Sequence, residues 1–355
     1  MKILHIAPIG HQSEGIGTVL KHLEKEQNAL GHDVRIVSKY KNEVYNDWNF
    51  TTINNNSDFL CFLELWSPNI VIFHSMYEME YIGFSKVLRK MKIPYLIQMH
   101  GALSKEHYKK GFWKKWIANR LWFNSFLQES QCLIYLNQAE YDNCVVKYLN
   151  SNYAIIPNGC DSNIENFKEK ATKEIVDILY IGRIDINHKG LDVLVNAIKT
   201  LKAKKISGIH FSFYGNENDS DVDEFKTLLK PLKGYAEFKG GIYGEEKQRR
   251  LQDCDIFILT SRYEGMPMGV LEALSYGIPC LLTPGTNMAD VIISFNAGWS
   301  TDFTANSISN TIEKACNDLR NAPMAYRKNA FDLSKQYSWN SIAKETISVY
   351  LRFYK

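Results

Sequence analysis

The feature that most limits what this chain can fold into is a rhythm of short apolar runs. "KILHIAPI", "DVRIVS", "NIVIFH" (69–74), "PYLIQMH" (94–100), "CLIYLN" (132–137) and "YAIIPNG" (153–159) follow one another with amphipathic or polar stretches between them. After a polar segment, Ser162 to Lys173, the rhythm restarts as "VDILYIGR" (176–183), "GIHFSFYG" (208–215), "AEFKGG" (236–241), "DIFILT" (255–260) and "IPCLLT" (278–283). The stretches 190–205, 221–230, 244–253 and 267–276 between these runs read as helices, as does Val19 to Leu30 in the first series, which Gly31 ends. Buried strands bounded by Gly, Pro or Asn and alternating with helices form parallel, doubly wound sheets, because each crossover helix must cover a sheet face. At 355 residues the chain exceeds one ordinary core. The expectation is α/β: two Rossmann-like domains, residues 1–163 and 164–337. Ligands in such folds sit beyond the carboxyl ends of the strands, so two such domains facing each other would hold one in a cleft.

Composition removes several function classes. Hydrophobic residues make up 45% of the chain and charged residues 23%, the balance of a soluble globular protein. No apolar run approaches the roughly 18 residues that span a bilayer. "MKILHIAPIGHQSEG" has no adequate apolar signal region and reads as a first strand. Seven cysteines, an odd number without any Cys-x-x-Cys spacing, point to a reducing compartment and away from structural zinc. A net charge of +3 gives no bulk attraction to nucleic acid. Charge is uneven all the same: between Lys86 and Arg120 stand ten Lys or Arg residues and one acid, Glu106.

The chemistry concentrates in "TSRYEGMPMGVLEALSYGIPCLL", residues 260–282. Pro267 suits the first turn of a helix, where its missing N–H costs nothing. That puts Glu264 in the preceding loop and Glu272 about one turn inside. Gly265 and Gly269 let backbone approach a ligand, and the segment Met266, Pro267, Met268, Gly269, Val270 forms an anion-binding helix start. A carboxylate one turn in can accept both hydroxyls of a ribose, and one ahead of the turn can hold sugar hydroxyls, a pairing that fits a nucleotide-sugar. Two plainer readings compete. Ser261-x-x-Glu264 has the form of a capping box, but that helix start would bury Pro267 in the second turn at a cost of about 3 kcal/mol. Glu272 could also be a structural carboxylate.

"EGMPMGVLE" is similar to the E-x7-E element of the family 4 retaining glycosyltransferases, which have the GT-B fold. "SEGIGTVLKHLEKEQNALGHDVRIVS" resembles that family's glycine loop and first βαβ unit, "MHG" (99–101) its active-site histidine, "IPNGCD" its inter-domain element, and "YIGRIDINHKGLDVLV" its phosphate-binding element. The resemblance spans nearly the whole chain. It implies that Arg183 and Lys189 clamp the diphosphate and stabilise it as it leaves, that Glu272 holds the ribose, and that Glu264 and His100 contact the donor sugar or its phosphate. Gly15, Ile16 and Gly17 would present main-chain N–H groups to phosphate or acceptor. Gly215 and Ile242 fall where the nucleobase lies. The last segment, 338–355, would be a helix packing back on the first domain. Such enzymes are thought to retain configuration with the donor phosphate taking the acceptor proton, so Glu264 is not read as a nucleophile. Two departures stand out: Glu14-Gly15 replaces the usual double glycine, and Met266-Pro267-Met268 stands where many members have Phe-Gly.

Other signals are weaker. "DSD" (219–221) has the Asp-x-Asp form of a metal site but opens a helix, where acids suit the dipole anyway; no metal and no cofactor is expected. A nicotinamide dehydrogenase is disfavoured, because the first loop lacks a third glycine and the second strand ends without an acid. "SKEHYKKGFWKKWIANRLWFNSFL" interleaves lysines with aromatics. Phe112, Trp113, Trp116, Ile117 and Phe123 would share a helical face flanked by Lys114 and Lys115, with Lys109 and Lys110 as further acceptor or membrane candidates. That face could meet a membrane interface, an acceptor diphosphate, or simply the core. The reading is a cytoplasmic, metal-independent retaining transferase, peripheral to the inner membrane face. It would move a sugar from a nucleoside diphosphate, UDP before GDP, to a glycan, with a lipid-linked surface-polysaccharide precursor as acceptor. A GT-B epimerase or phosphorylase, and a non-catalytic glycan- or nucleotide-sugar-binding module, are the alternatives.

Overall fold

The structure, a computed structural model, describes residues 1–9, 14–40, 48, 50–109, 111–161, 165, 167 and 174–354. The chain forms two compact units, one of Met1–Gly159 with Trp339–Lys355 and one of Cys160–Ser338.

The first unit is built on seven parallel strands: β1 (Lys2–Ile6), β2 (Asp33–Ser38), β3 (Thr51–Thr52), β4 (Ile70–His74), β5 (Tyr95–Gln98), β6 (Cys132–Tyr135) and β7 (Tyr153–Ile155), in the order β3-β2-β1-β4-β5-β6-β7. Alternation sorts the side chains by face. Leu4, Ile6, Val71, Phe73, Tyr95, Ile97, Leu133 and Tyr135 join the core that holds Phe59, Phe84 and Phe126. On the other face, β1 and β4 pair Ile3 with Ile70 and His5 with Ile72. There His5 meets Gln27 of the helix Glu14–Ala29, and Gln27 meets Thr346 of the last helix, Trp339–Leu351. His22 stacks on Trp339 with ring centroids 4.8 Å apart. A Cβ on Gly159 would lie 2.4 Å from the Trp339 ring, so the chain leaves this unit where no side chain fits.

The second unit has six parallel strands: β8 (Val176–Ile181), β9 (Ile209–Tyr214), β10 (Ala236–Phe238), β11 (Ile256–Leu259), β12 (Cys280–Leu282) and β13 (Gly298–Ser300), in the order β10-β9-β8-β11-β12-β13. The strand order reverses between β8 and β11, so the loops after these two strands leave the sheet side by side. In the first unit the reversal falls between β1 and β4.

Three local expectations need correction. The first helix starts at Glu14, ahead of Val19, so Gly15, Ile16 and Gly17 form its opening turn and not a loop. Pro267 is the capping residue in extended conformation (ψ 117°), and the helix runs Met268–Ser275. The Pro267 carbonyl there accepts from Val270 and Leu271. Phe123 does not share the exposed face of Phe112 and Trp116. A π-helical turn, Asn119–Phe123, winds the chain more loosely and rotates Phe123 into the core at 1% exposure.

Candidate active site

In the second unit, the loop after β8 carries Arg183 and Lys189, and the loop after β11 carries Glu264. The first loop is held by carboxylates 35 residues downstream: Asp219 accepts from the Ile184 N–H at 2.6 Å and Asp221 from the Ile186 N–H at 2.8 Å. The "DSD" acids are thus engaged by main-chain donors. Asp185 accepts from the His188 N–H (2.8 Å), and the Tyr180 hydroxyl donates to the Arg183 carbonyl (2.8 Å). Gly190 closes the loop with φ +65°, and a Cβ there would lie 2.2 Å from the Thr260 carbonyl oxygen. No other residue type fits this crossing. Gly215 is similarly confined, because a Cβ would meet Ile184 at 2.6 Å and the Gly182 carbonyl at 2.7 Å.

The two loops are locked together by side-chain and main-chain contacts. The Lys189 ammonium pairs with Glu264 at 2.6 Å, and the Ser261 hydroxyl donates to the same carboxylate oxygen at 2.6 Å. Both charged side chains are nearly withdrawn from solvent, at 15% and 11% exposure. Arg262 forks onto Asp192 with bonds of 2.7 and 3.0 Å. His188 lies against the Tyr263 ring (centroids 4.2 Å apart), and its Nε2 is 2.8 Å from the Tyr263 carbonyl oxygen. Burial lowers the His188 pKa, so this ring donates Nε2–H as a neutral imidazole. Ser261 does not cap a helix: its hydroxyl is spent on the Glu264 side chain and the helix begins at Met268. The Asn287 side chain fixes the turn from outside by donating to the carbonyls of Glu264 (2.6 Å) and Gly265 (3.3 Å).

Arg183 projects from this frame with 60% of its side chain exposed, 3.3 Å from Asp185 and 3.1 Å from His188 Nδ1. Glu272, one turn into its helix, pairs with Lys247 at 2.6 Å while keeping about a third of its side chain exposed. Met266, Pro267 and Val270 are buried, and Met268 and Gly269 are half-buried at the helix start. Ile242 is buried. The structure therefore brings Arg183, Lys189, Glu264 and the 265–270 turn to one edge of one sheet, with Arg183 exposed and Lys189 held against Glu264. Such an edge can hold an anion and the hydroxyls attached to it. Sequence reasoning missed His188, Arg262 and Asn287, which hold the two loops in register. "NHKG" and "TSRYEG" carry the first two, but their partners are distant in sequence.

In the first unit, His100 follows β5 in left-handed conformation (φ +48°). Its Nε2 is 2.9 Å from His74 Nδ1. The next N–H, of Gly101, donates to Glu140. Burial holds the His100 pKa down at about 4 and raises that of Glu140 to about 7. Gly15 is exposed and Gly17 buried in the opening helical turn.

The basic-aromatic stretch is a short helix, Phe112–Ala118, continued by the π turn. Phe112, Trp113, Trp116, Ile117, Leu121 and Trp122 are exposed, Trp113 to 71%. Lys109 and Lys114 are exposed beside them, Lys115 lies over the Tyr77 ring (5.7 Å), and Lys110 is outside the described residues. Among the described residues no helix is long and apolar enough to cross a membrane.

These features define an α/β protein with an edge suited to an anion and its hydroxyls, and comparison with known proteins supplies the family. Residues 13–163 match the family described as Glycosyltransferase Family 4, and residues 161–332 match Glycosyl transferases group 1. The chain belongs to the glycosyltransferases, and its fold is GT-B. An uncharacterised glycosyltransferase of Methanocaldococcus jannaschii is 24% identical over 174 residues, 49% of this chain and 44% of that protein. A putative colanic acid biosynthesis glycosyltransferase of Escherichia coli is 26% identical over 138 residues, 37% of this chain and 33% of its own. The chain spans about half or less of the length of these curated relatives. Among solved structures, the Anabaena protein HepE in complex with UDP superposes with a TM-score of 0.79 at 14% identity, over 99% of this chain and 100% of that one. HepE has also been solved with UDP-glucose.

Proposed function

We propose that this chain transfers a sugar from a nucleoside diphosphate to a glycan with retention of anomeric configuration. The observation that carries this reading is the meeting of Arg183 and the Lys189–Glu264 pair at the β8/β11 reversal, beside the Met268 helix start. Arg183 and Lys189 are suited to hold the diphosphate and to stabilise it as the bond to the anomeric carbon breaks. Lys189 is paired with Glu264 here, so an arriving phosphate shares the ammonium with that carboxylate. Glu264 then keeps a second oxygen for sugar hydroxyls, Glu272 accepts from a ribose, and His100 meets a hydroxyl of the sugar. The acceptor oxygen adds to the anomeric carbon on the face the phosphate leaves, and its proton passes to the departing phosphate oxygen. No second carboxylate at glycosidase spacing is needed, and no metal is needed where an Arg and a Lys supply the positive charge.

The donor is a UDP-sugar before a GDP-sugar, a preference supported by the UDP and UDP-glucose complexes of the structural relative HepE. The acceptor is a lipid-linked precursor of a surface polysaccharide, met at the cytoplasmic face of the membrane. Six exposed apolar side chains between 112 and 122, flanked by lysines, suit an interface with anionic headgroups. The test is a thermal-shift panel with UDP, GDP, ADP, CMP and NAD, with and without EDTA. Ligand at 100 times its Kd stabilises by about 2.7 kcal/mol. Stabilisation by UDP that survives EDTA and disappears in Glu272→Ala supports the reading. No shift from any nucleotide refutes it, and loss of the shift with EDTA refutes the metal-free clamp.

A further inference from the structure

The interior of the first unit holds a row of polar side chains of which the transfer reaction as described uses only the last, His100. His5 on β1, His74 on β4 and His100 after β5 lie on neighbouring strands of the parallel sheet. His100 Nε2 is 2.9 Å from His74 Nδ1, and His74 Nε2 is 2.9 Å from His5 Nδ1. His5 Nε2 is 3.0 Å from Gln27 Oε1, and Gln27 Nε2 is 3.0 Å from Thr346 Oγ1. The Thr346 hydroxyl is 2.7 Å from the Ala343 carbonyl, in the helix that ends the chain. His5, His74, Gln27 and Thr346 are all buried at 1% exposure or less. Burial pushes the pKa of His5 down to about 4 and that of His74 well below its ordinary value. These rings are therefore neutral at pH 7, each with one N–H and one lone pair.

The direction of every bond follows from the last acceptor. A carbonyl oxygen only accepts, so the Thr346 hydroxyl donates to Ala343. Thr346 then accepts from Gln27 Nε2, which turns Gln27 Oε1 towards His5. That oxygen only accepts, so His5 carries its proton on Nε2 and offers Nδ1 to His74. His74 in turn carries Nε2–H and offers Nδ1 to His100. The Tyr350 hydroxyl, buried beside Gln27 and Thr346, has no hydrogen-bond partner among the described residues and does not enter the chain. We propose that this row is a one-way hydrogen-bond chain, anchored in the C-terminal helix, that fixes His100 as the Nε2–H tautomer and leaves its Nδ1 as a bare acceptor. His5, His74, Gln27 and Thr346 are positioning residues for that lone pair. Among the described residues Nδ1 of His100 has no hydrogen-bond partner. A bare Nδ1 accepts a hydrogen bond from a ligand hydroxyl and turns away a phosphate oxygen, which has no hydrogen to donate. The assignment of that hydroxyl to a donor sugar rests on the function proposed above; the tautomer does not.

The experiment is two-bond 1H–15N NMR on the full chain with 15N-labelled histidine at pH 7.5, which distinguishes the two neutral tautomers directly. His100→Gln, His74→Gln and His5→Gln assign the signals. The expected result is Nε2–H at all three positions. Nδ1–H at His100, or a protonated ring, overturns the proposal. Thr346→Val is nearly isosteric and frees the Gln27 amide to turn over, so the His100 signal should split between tautomers. Gln27→Glu keeps an acceptor against His5 and should leave His100 as Nε2–H. A His100 spectrum unmoved by Thr346→Val overturns the claim that the C-terminal helix sets the direction. If either variant fails to fold, the wild-type spectrum alone decides the tautomer. A correct tautomer without UDP binding would instead count against the donor reading, so the two can fail separately.

Discussion

Replacing Glu264 by Gln is the most informative single change, because it alters charge while keeping shape at a nearly buried pair. Lys189 would be left with 15% exposure and no counter-ion. Stranding one member of such a pair costs about 3 kcal/mol, the low end of the range for buried pairs. Lys189→Met strands the carboxylate instead, but Ser261 still donates to it, so about 2 kcal/mol is expected. The double variant removes both charges and should cost only about 2 to 3 kcal/mol, a coupling of at least ~2 kcal/mol. Trp299 is the one tryptophan in the second unit, so its 19F signal in 5-fluorotryptophan-labelled protein reports unfolding of that unit in urea. Effects that add within ~0.5 kcal/mol would refute the pairing. Ligand binding supplies a second reading. Lys189→Met should weaken UDP by roughly 10- to 100-fold, the loss of a charge-assisted bond. Glu264→Gln, which removes the carboxylate competing for Lys189, should leave UDP affinity unchanged or tighter while slowing transfer. Weaker UDP binding in Glu264→Gln would show that the ammonium is not the shared group.

Four further outcomes are expected. Glu272→Gln breaks a half-exposed pair with Lys247 and should change stability by less than ~1 kcal/mol, while calorimetry shows weaker UDP binding. Gly190→Ala places a Cβ against the Thr260 carbonyl in left-handed backbone, so urea unfolding should show a loss of more than ~1–2 kcal/mol. Trp113→Ala with Trp116→Ala should reduce sedimentation with anionic vesicles and leave UDP binding intact. The first unit should lose stability in acid. His5 and His100 have folded pKa values of about 4 against 6.5 unfolded, so below pH 6.5 the unfolded chain binds more protons. Their contribution is complete above about pH 6.5 and is lost as pH falls towards 4, at about 1.4 kcal/mol per pH unit per proton. Glu140, raised from 4.5 to about 7, acts oppositely and loses stability as pH rises through that window, so Glu140→Gln should steepen the acid loss seen in urea titrations across pH.

The fold class was legible because buried parallel strands announce themselves as apolar runs between breakers. β3 and β13 carried no such run: they are two and three residues long at sheet edges, and pairing alone makes them strands. The start of the first helix was misjudged because glycines at 15 and 17 look like loop, although an opening turn tolerates them. At the candidate site, the residue types that favour phosphates and hydroxyls were visible in "GR", "KG" and "EGMPMGVLE". Their partners were not, since Lys189 and Glu264 lie 75 residues apart and only the adjacency of β8 and β11 joins them. His5 was hidden for the same reason. One histidine inside "KILHI" reads as an ordinary core residue, and strand order turns it into the neighbour of His74.

The first unit is split in the sequence: residues 1–159 are completed by 339 onward, with the whole second unit between them. During synthesis at roughly 5–20 residues per second, the opening half waits some 10 to 35 s for its last helix. Through that interval the Gln27 amide has no Thr346 to hold it and Gly159 has no indole beside it. The inserted unit can therefore finish folding on the ribosome before the unit that began first. Vectorial synthesis favours an order of assembly opposite to the order of the sequence, and a chain cut short before Trp339 leaves its earliest residues without their cover.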